Sequence, residues 1–327
     1  MRGVVVGGPR NFVLMHELAK ATPRSPKELL VQVHACALTR SDLSRCLGLV
    51  ESQTSLEYVI PGREFSGTVV TESDRFRQGQ RVFGVLSPAF DQGAMAEFVL
   101  TDQDSIAIVP DSLDLSCAAA IPLAGISAVQ ACKQLQKDSS VLVLGADSWE
   151  GLIASFWVKL ILGADLTIGI EGQDDEARYR KALGVLHCQV HRLGLSSALP
   201  KGFDLILDCI GGKEVWQQAR DCLVSGGEFV TLFGDQSRLD RSRIEDIAFN
   251  QMTEMWRQGM GILSRSNYFH LEPAVVSDDL ALLANHLSKM DCSPLPIDRI
   301  SLDQAQPMIE KTLSLNHEYQ GRVVVEI

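Results

Sequence analysis

The sequence lacks a CxxC pair; its eight cysteines, at 36, 46, 117, 132, 188, 209, 222 and 292, are scattered along the chain. Without paired spacing neither a disulfide framework nor a zinc knuckle is indicated, and reduced, mostly buried thiols are expected. Long apolar runs are missing as well: none approaches the roughly 18 residues needed to span a bilayer. There is no basic run, and the formal net charge is -11 with a pI near 5.1. Nucleic-acid phosphates and anionic membranes demand clustered Lys and Arg, so neither is expected as a partner. The start, from Met1 to Pro9, reads as a short strand and turn and not as a charged, apolar, cleavable leader, so a cytoplasmic placement is expected.

What is present is enough chain for two cores. The 327 residues exceed one ordinary domain of roughly 150 residues. Residues 1–114 read as short extended runs broken by turn residues: Leu29 to Cys36, Tyr58 to Val70, Arg81 to Leu86, Met95 to Leu100 and Ser105 to Val109. Residues 115–256 alternate helical stretches with short apolar strands, the texture of βαβ units and a parallel sheet. Those strands are Val141 to Gly145, Leu166 to Ile170, Asp204 to Ile210 and Glu228 to Phe233. Helices are expected near Leu152 to Leu162, Glu176 to Leu183 and Lys213 to Leu223. Residues 257–327 return to mixed character and close on Gly321 to Ile327, a lone strand-like run expected to rejoin the first domain. The fold class is therefore α/β, a β-rich domain joined to a parallel, doubly wound sheet.

A strand that ends in glycine and runs into a helix presents unpaired N–H groups and a positive dipole end, which suits a pyrophosphate. Here that turn is Gly145-Ala146-Asp147-Ser148-Trp149-Glu150-Gly151. Only its ends are glycine, so the G-x-G-x-x-G fingerprint is incomplete. About 20 residues on, Glu171 ends the next strand, where a carboxylate would accept from an adenosine ribose. The alternative is that Glu171, Asp174 and Asp175 form a solvated first turn for the helix beginning near Glu176.

Several blocks together resemble the medium-chain dehydrogenase/reductase superfamily, in its zinc-independent quinone oxidoreductase and enoyl reductase branch. Thr39-Arg40-Ser41-Asp42-Leu43 stands in the N-R-x-D-L position, and Ile60 to Gly67 looks like the P-G-x-E-x-x-G turn. The likeness continues through Gly79 to Gly84, Gly93 to Phe98, Ala118 to Gly125, Leu207 to Gly212, Ser225 to Gly227, Tyr268-Phe269 and Gly321 to Val324. It implies a GroES-like domain built from both ends of the chain, a Rossmann domain between, and a small-molecule cleft where they meet. Thr39 stands where zinc-dependent cousins carry a cysteine and Arg63 where they carry histidine; a guanidinium cannot ligate a cation. His187, Cys188 and His191 have tempting spacing, but strand periodicity sends His187 and Cys188 to opposite faces.

Relatives without zinc move a hydride from NAD(P)H to an activated C=C bond, in an enoyl or enone substrate, or to a quinone. The developing enolate then needs a hydrogen-bond donor. Many relatives offer a tyrosine where this chain has Val50. The donors left are Thr39, Arg40, Arg63, Ser127 and Tyr268. Each has a plainer alternative: an ion pair for Arg63, helix caps for Thr39 and Ser127, a core ring with a wet hydroxyl for Tyr268. Thr39 and Ser127 match family positions beside the nicotinamide. Cofactor positions carried over are Gly145, Ala146, Ser148, Gly151, Cys209, Ile210, Leu232 and Phe233, with Glu171 at the ribose. The branch commonly prefers NADPH, whereas Glu171 and Glu176 favour NADH, and the choice between NADP(H) and NAD(H) stays open. The substrate would be a small molecule, such as an acyl-chain or biosynthetic intermediate, and a homodimer paired through edge strands near Tyr268 fits the family pattern. The competing reading is a catalytically retired relative that binds a small molecule or a partner. Trp149 discriminates: it would fill the pyrophosphate space in a retired protein and turn outward in an active one.

Overall fold

The computed structural model describes residues 1–8, 11–39, 42–43, 46, 58–87, 92–172, 176–193, 199–234, 267–288, 292–314 and 322–327. The chain divides into two units, Met1–Ile126 with Ala274–Ile327, and Ser127–Pro273.

In the first unit, strands β1 (Gly3–Gly8) and β2 (Asn11–Met15) form a hairpin. A seven-stranded sheet runs in the order β14-β15-β3-β4-β5-β7, with β6 also paired to β3. Its members are β3 (Glu28–Ala37), β4 (Glu64–Val69), β5 (Arg81–Val85), β6 (Phe98–Asp102), β7 (Ile106–Ile108), β14 (Ile297–Ser301) and β15 (Arg322–Glu326). Strand β3 shows the period of two: Val31 and Val33 are buried while Gln32 and His34 face water. The terminal strand β15 lies antiparallel against β3, so both ends of the chain share one sheet. The strand expected from Tyr58 begins only at Glu64. Pro61 has no N–H to offer a ladder, and Gly62 sits at φ 96°, a conformation that turns the chain before β4 starts.

The second unit carries β8 (Ser140–Leu144), β9 (Asp165–Ile170), β10 (Gln189–Arg192), β11 (Phe203–Asp208), β12 (Leu223–Thr231) and β13 (Asn267–His270). All of their pairings are parallel, in the order β10-β9-β8-β11-β12-β13. Counted from β8, this is the Rossmann order 3-2-1-4-5-6. The central strands are buried along nearly their whole length, as a sheet covered on both faces requires. The order reverses beside β8, between β9 and β11, and such a switch point opens a crevice at the carboxyl ends of the strands. The helix after β8 starts at Trp149, earlier than the apolar spacing predicts, because Ser148 caps it. It runs to Phe156 and continues as a π-helical turn, Trp157–Leu162, that ends on a left-handed Gly163.

Candidate functional site

At the switch point the turn after β8 is held by its own groups. Gly145 takes φ 73°, and its N–H and that of Ala146 both donate to the Gly169 carbonyl, at 2.8 and 3.0 Å. A Cβ at Gly151 would lie 2.2 Å from the Gly145 carbonyl oxygen. The two retained glycines thus serve the turn and the close approach of helix to strand. Between them, where backbone must come close to a pyrophosphate, the chain has side chains instead. The Ser148 hydroxyl donates to the Gly145 carbonyl at 2.7 Å and accepts from the Gly151 N–H at 3.1 Å. That N–H belongs to the helix's first turn, the group of donors that would otherwise serve an anion. Trp149, the first helical residue, is only 6% exposed and does not turn outward.

Carboxylates finish the neighbouring turns. Buried Asp147 accepts from the N–H groups of Glu171 and Gly172, at 3.2 and 2.9 Å, tying the turn to the end of β9. Buried Asp208 likewise accepts from Ile210 and Gly211, at 2.9 and 3.0 Å. The Thr231 hydroxyl accepts from Phe233 and Gly234 at the end of β12. Neither Asp147 nor Asp208 nor Thr231 was singled out for a role in the sequence. The available signal is an Asp or Thr one to three residues ahead of N–H groups that a strand has ceased to pair; the Asp147 bonds across to β9 carry no local signal at all.

The cofactor candidates gather along this edge. Gly145, Ala146, Ser148 and Gly151 form the turn. Cys209 donates its N–H to the Leu144 carbonyl, and the Ile210 side chain lies against Gly145. Leu232 and Phe233 are half-buried after β12, and the Leu232 N–H donates to the Asp208 carbonyl at 3.0 Å. Glu171 and Ile210 line a cavity of about 230 Å³ with Leu144, Leu193, Leu199 and Val215.

The candidates for chemistry are not gathered in this way. Tyr268 on β13 is a core ring, 2% exposed, stacked on Phe229 at 5.7 Å and edge-on to Trp216 at 5.2 Å. That is the packing alternative, and Tyr268 is not carried further as a donor. Ser127 is buried within the helix Pro122–Ala131. Thr39 lies in the first unit, where its N–H and hydroxyl donate to Asp42 at 2.9 and 2.5 Å; the other Asp42 oxygen accepts from Gly62 at 2.8 Å. Next to Gly62, the Arg63 guanidinium donates to the Leu86 carbonyl at 2.8 Å. Arg40, Val50, Asp174 and Asp175 lie outside the described residues, as does the side chain of Glu176.

Sequence reasoning missed the partner of Glu64. This carboxylate, 1% exposed, pairs with Arg322 of β15 and accepts from the Leu123 N–H at 2.8 Å. Burial pushes the Glu64 carboxyl above its ordinary range, and the Arg322 guanidinium offsets only part of that. Cys36, whose thiol lies against Gly62, is pushed up by the same burial, with Asp42 and Glu64 adding to it. Among the described residues no three His, Cys, Asp or Glu side chains come together as a metal site. His187 takes a left-handed conformation, φ 47°, in the turn before β10.

A GroES-like sheet unit and a Rossmann unit with a switch-point cavity define a two-part dinucleotide-fold protein. The family model of the alcohol dehydrogenase GroES-like domain matches residues 25–111. Zebrafish (Danio rerio) NAD(P)H oxidoreductase RTN4IP1, mitochondrial, is 33% identical over 261 residues, 68% of this chain and 64% of that protein. Mouse (Mus musculus) quinone oxidoreductase-like protein 2 is 29% identical over 222 residues, 64% of this chain and 61% of that protein. The chain thus spans less than two thirds of the length of these curated relatives. Among solved structures, the yhdH oxidoreductase from Salmonella enterica in complex with NADP shares the fold at TM-score 0.76 and 18% identity, over 100% of both chains. A cobalt- and zinc-bound alcohol dehydrogenase from Pyrobaculum aerophilum shares it at TM-score 0.72 and 20% identity, over 100% of this chain and 99% of that one. The chain belongs to the medium-chain dehydrogenase/reductase superfamily, in its quinone oxidoreductase branch. No helix among the described residues is long and apolar enough to cross a membrane.

Proposed function

We propose that the chain is a zinc-free, NAD(P)H-dependent oxidoreductase that reduces an activated C=C bond or a quinone. The observation that supports this most is the switch-point cavity, with Glu171 at its rim and Ile210 and Leu144 in its wall. Its shape and lining suit an adenosine: an apolar slot for the base and a carboxylate for ribose hydroxyls. Gly145, Ala146, Ser148 and Gly151 would flank the pyrophosphate, with Cys209, Ile210, Leu232 and Phe233 along the rest of the edge. A bound nicotinamide would supply the hydride. Thr39 and Ser127 are assigned to orienting ring and substrate, on the strength of matching family positions. The names of the relatives in zebrafish and mouse agree with the reaction class.

A second reading, a retired family member that binds a small molecule or partner, is favoured by buried Trp149 and by the buried carboxylate of Asp147 in the same turn. Titration with NADH and with NADPH, followed by nicotinamide fluorescence or calorimetry, separates the two. Binding of either in the micromolar range is the expected result; no binding of either at millimolar concentration would leave the retired reading standing.

A further inference from the structure

The fold brings together two cysteines that lie far apart in the sequence. Cys117 is fully buried in the helix Leu115–Ala120, and Cys292 is partly exposed in the turn that precedes β14. Their thiols are in hydrogen-bond contact with each other. The backbone on both sides is held in place by bonds that do not involve sulfur. Asp114 accepts from the Cys117 N–H at 3.0 Å through one oxygen and from the Arg299 guanidinium of β14 at 2.9 Å through the other. The Ser116 hydroxyl donates to Glu326 of β15 at 2.6 Å, and the Leu295 N–H closes the turn on the Cys292 carbonyl at 3.1 Å. The two sulfurs therefore meet as part of the native packing of this unit.

We infer that Cys117 and Cys292 form a peroxide-responsive dithiol that closes to a disulfide. The accessible member reacts first. The Cys292 sulfur, as thiolate, attacks one peroxide oxygen; the O–O bond breaks, the departing hydroxide takes up a proton to become water, and Cys292 is left as the sulfenic acid. The Cys117 sulfur then attacks the Cys292 sulfur. An S–S bond forms, the S–O bond breaks, and the leaving hydroxide takes the Cys117 proton as a second water. The two thiols give up two electrons and two hydrogens, and one hydrogen peroxide is reduced to two waters. Burial and the contact with Cys292 hold the proton on Cys117 in the resting state, which suits a resolving thiol that is inert until a sulfenic acid stands beside it. This site is independent of whether the switch-point turn binds a dinucleotide.

The test is peptide mapping of the intact folded chain after brief treatment with hydrogen peroxide and alkylation of remaining thiols. The expected product is a Cys117–Cys292 linked peptide pair, lighter by two hydrogens, with both positions lost from the alkylated pool and recovered on reduction with dithiothreitol. In Cys117→Ser the Cys292 sulfenic acid should accumulate and be trapped by dimedone. In Cys292→Ser, Cys117 should remain reduced at the same dose. Over-oxidation of Cys292 to sulfinic acid in the wild-type chain without any linked pair would overturn the inference. So would a disulfide from either residue to a different cysteine, or persistence of both thiols at a dose that oxidises free glutathione completely.

Discussion

The Glu64 cluster and the Gly145 turn are both places where family blocks meet, but they keep those blocks for different reasons. Around Glu64, residues from five separate stretches lock together: Asp42 holds Gly62, Glu64 holds Arg322 and Leu123, and a Cβ at Gly93 would lie 2.2 Å from the Pro61 carbonyl oxygen. Each piece is required by another piece of the same unit. In the Gly145 turn only the parts that serve folding persist. Gly145 and Gly151 remain because the backbone leaves no room for a Cβ, while the positions that would face a ligand carry Ser148, Trp149 and Glu150. A motif can therefore be half kept, and the kept half reports on packing and not on binding.

The largest effect expected from breaking this contrast is at Arg322. Arg322→Met leaves Glu64 buried beside no counter-charge, and removal of one partner of a buried pair costs about 3–5 kcal/mol. The pH dependence fixes the cause. Glu64 already holds its proton more tightly folded than at its ordinary value of 4.5, and without Arg322 it holds it more tightly still. A carboxyl with a raised folded pKa contributes stability below its unfolded pKa and loses it as pH rises through the folded value. The variant should thus be much weaker than wild type at neutral pH and approach it as the pH falls toward 4.5. Adding Glu64→Gln should recover most of the loss. Urea unfolding at several pH values checks all three statements, and a deficit that does not change with pH would show that Arg322 acts only by packing.

The counterpart in the Rossmann unit is Gly151→Ala. The new methyl would sit 2.2 Å from one backbone atom, the Gly145 oxygen, and 2.8 Å from the carbon bonded to it. Backbone gives less readily than a side chain, and overpacking of this kind costs about 1–3 kcal/mol. The loss should appear in thermal or urea unfolding whether or not dinucleotide is added. A variant that unfolds like wild type would mean that the turn is loose and that its glycine answers to a ligand after all.

Much of this contrast was legible in the sequence. The parallel strands announced themselves because strands covered on both faces are continuous apolar runs, as in Val141 to Leu144. The blocks in the first third placed the GroES-like sheet, and the terminal run from Arg322 was expected to return to it. What stayed hidden was pairing across distance. Nothing local marks Arg322 as the partner of Glu64, or Cys292 as the neighbour of Cys117, since each contact depends on how the strands are ordered. Tyr268 misled for a related reason. A tyrosine near a strand end looks the same whether its ring joins Trp216 and Phe229 in the core or reaches a ligand. The early start of the helix at Trp149 was hidden by a bulky residue in a place where small ones are usual, although Ser148 ahead of it is a strong cap.

Ser148 allows the contrast to be drawn within one side chain. Ser148→Ala removes the acceptor of the Gly151 N–H and the donor to the Gly145 carbonyl, and loss of such a cap costs about 1 kcal/mol. Ser148→Gly should cost only a few tenths of that unit, roughly 0.2–0.4 kcal/mol, because glycine is itself a fair cap. Both variants release the Gly151 N–H, but only glycine also lets a backbone approach closely. If the turn still takes a pyrophosphate, Ser148→Gly should bind NADH more tightly than wild type while unfolding at almost the same urea concentration. Calorimetric titration of the three proteins, read beside their unfolding midpoints, decides it. Equal affinities across the set would mean that Ser148 only caps its helix and that the obstruction lies with Trp149 or Asp147.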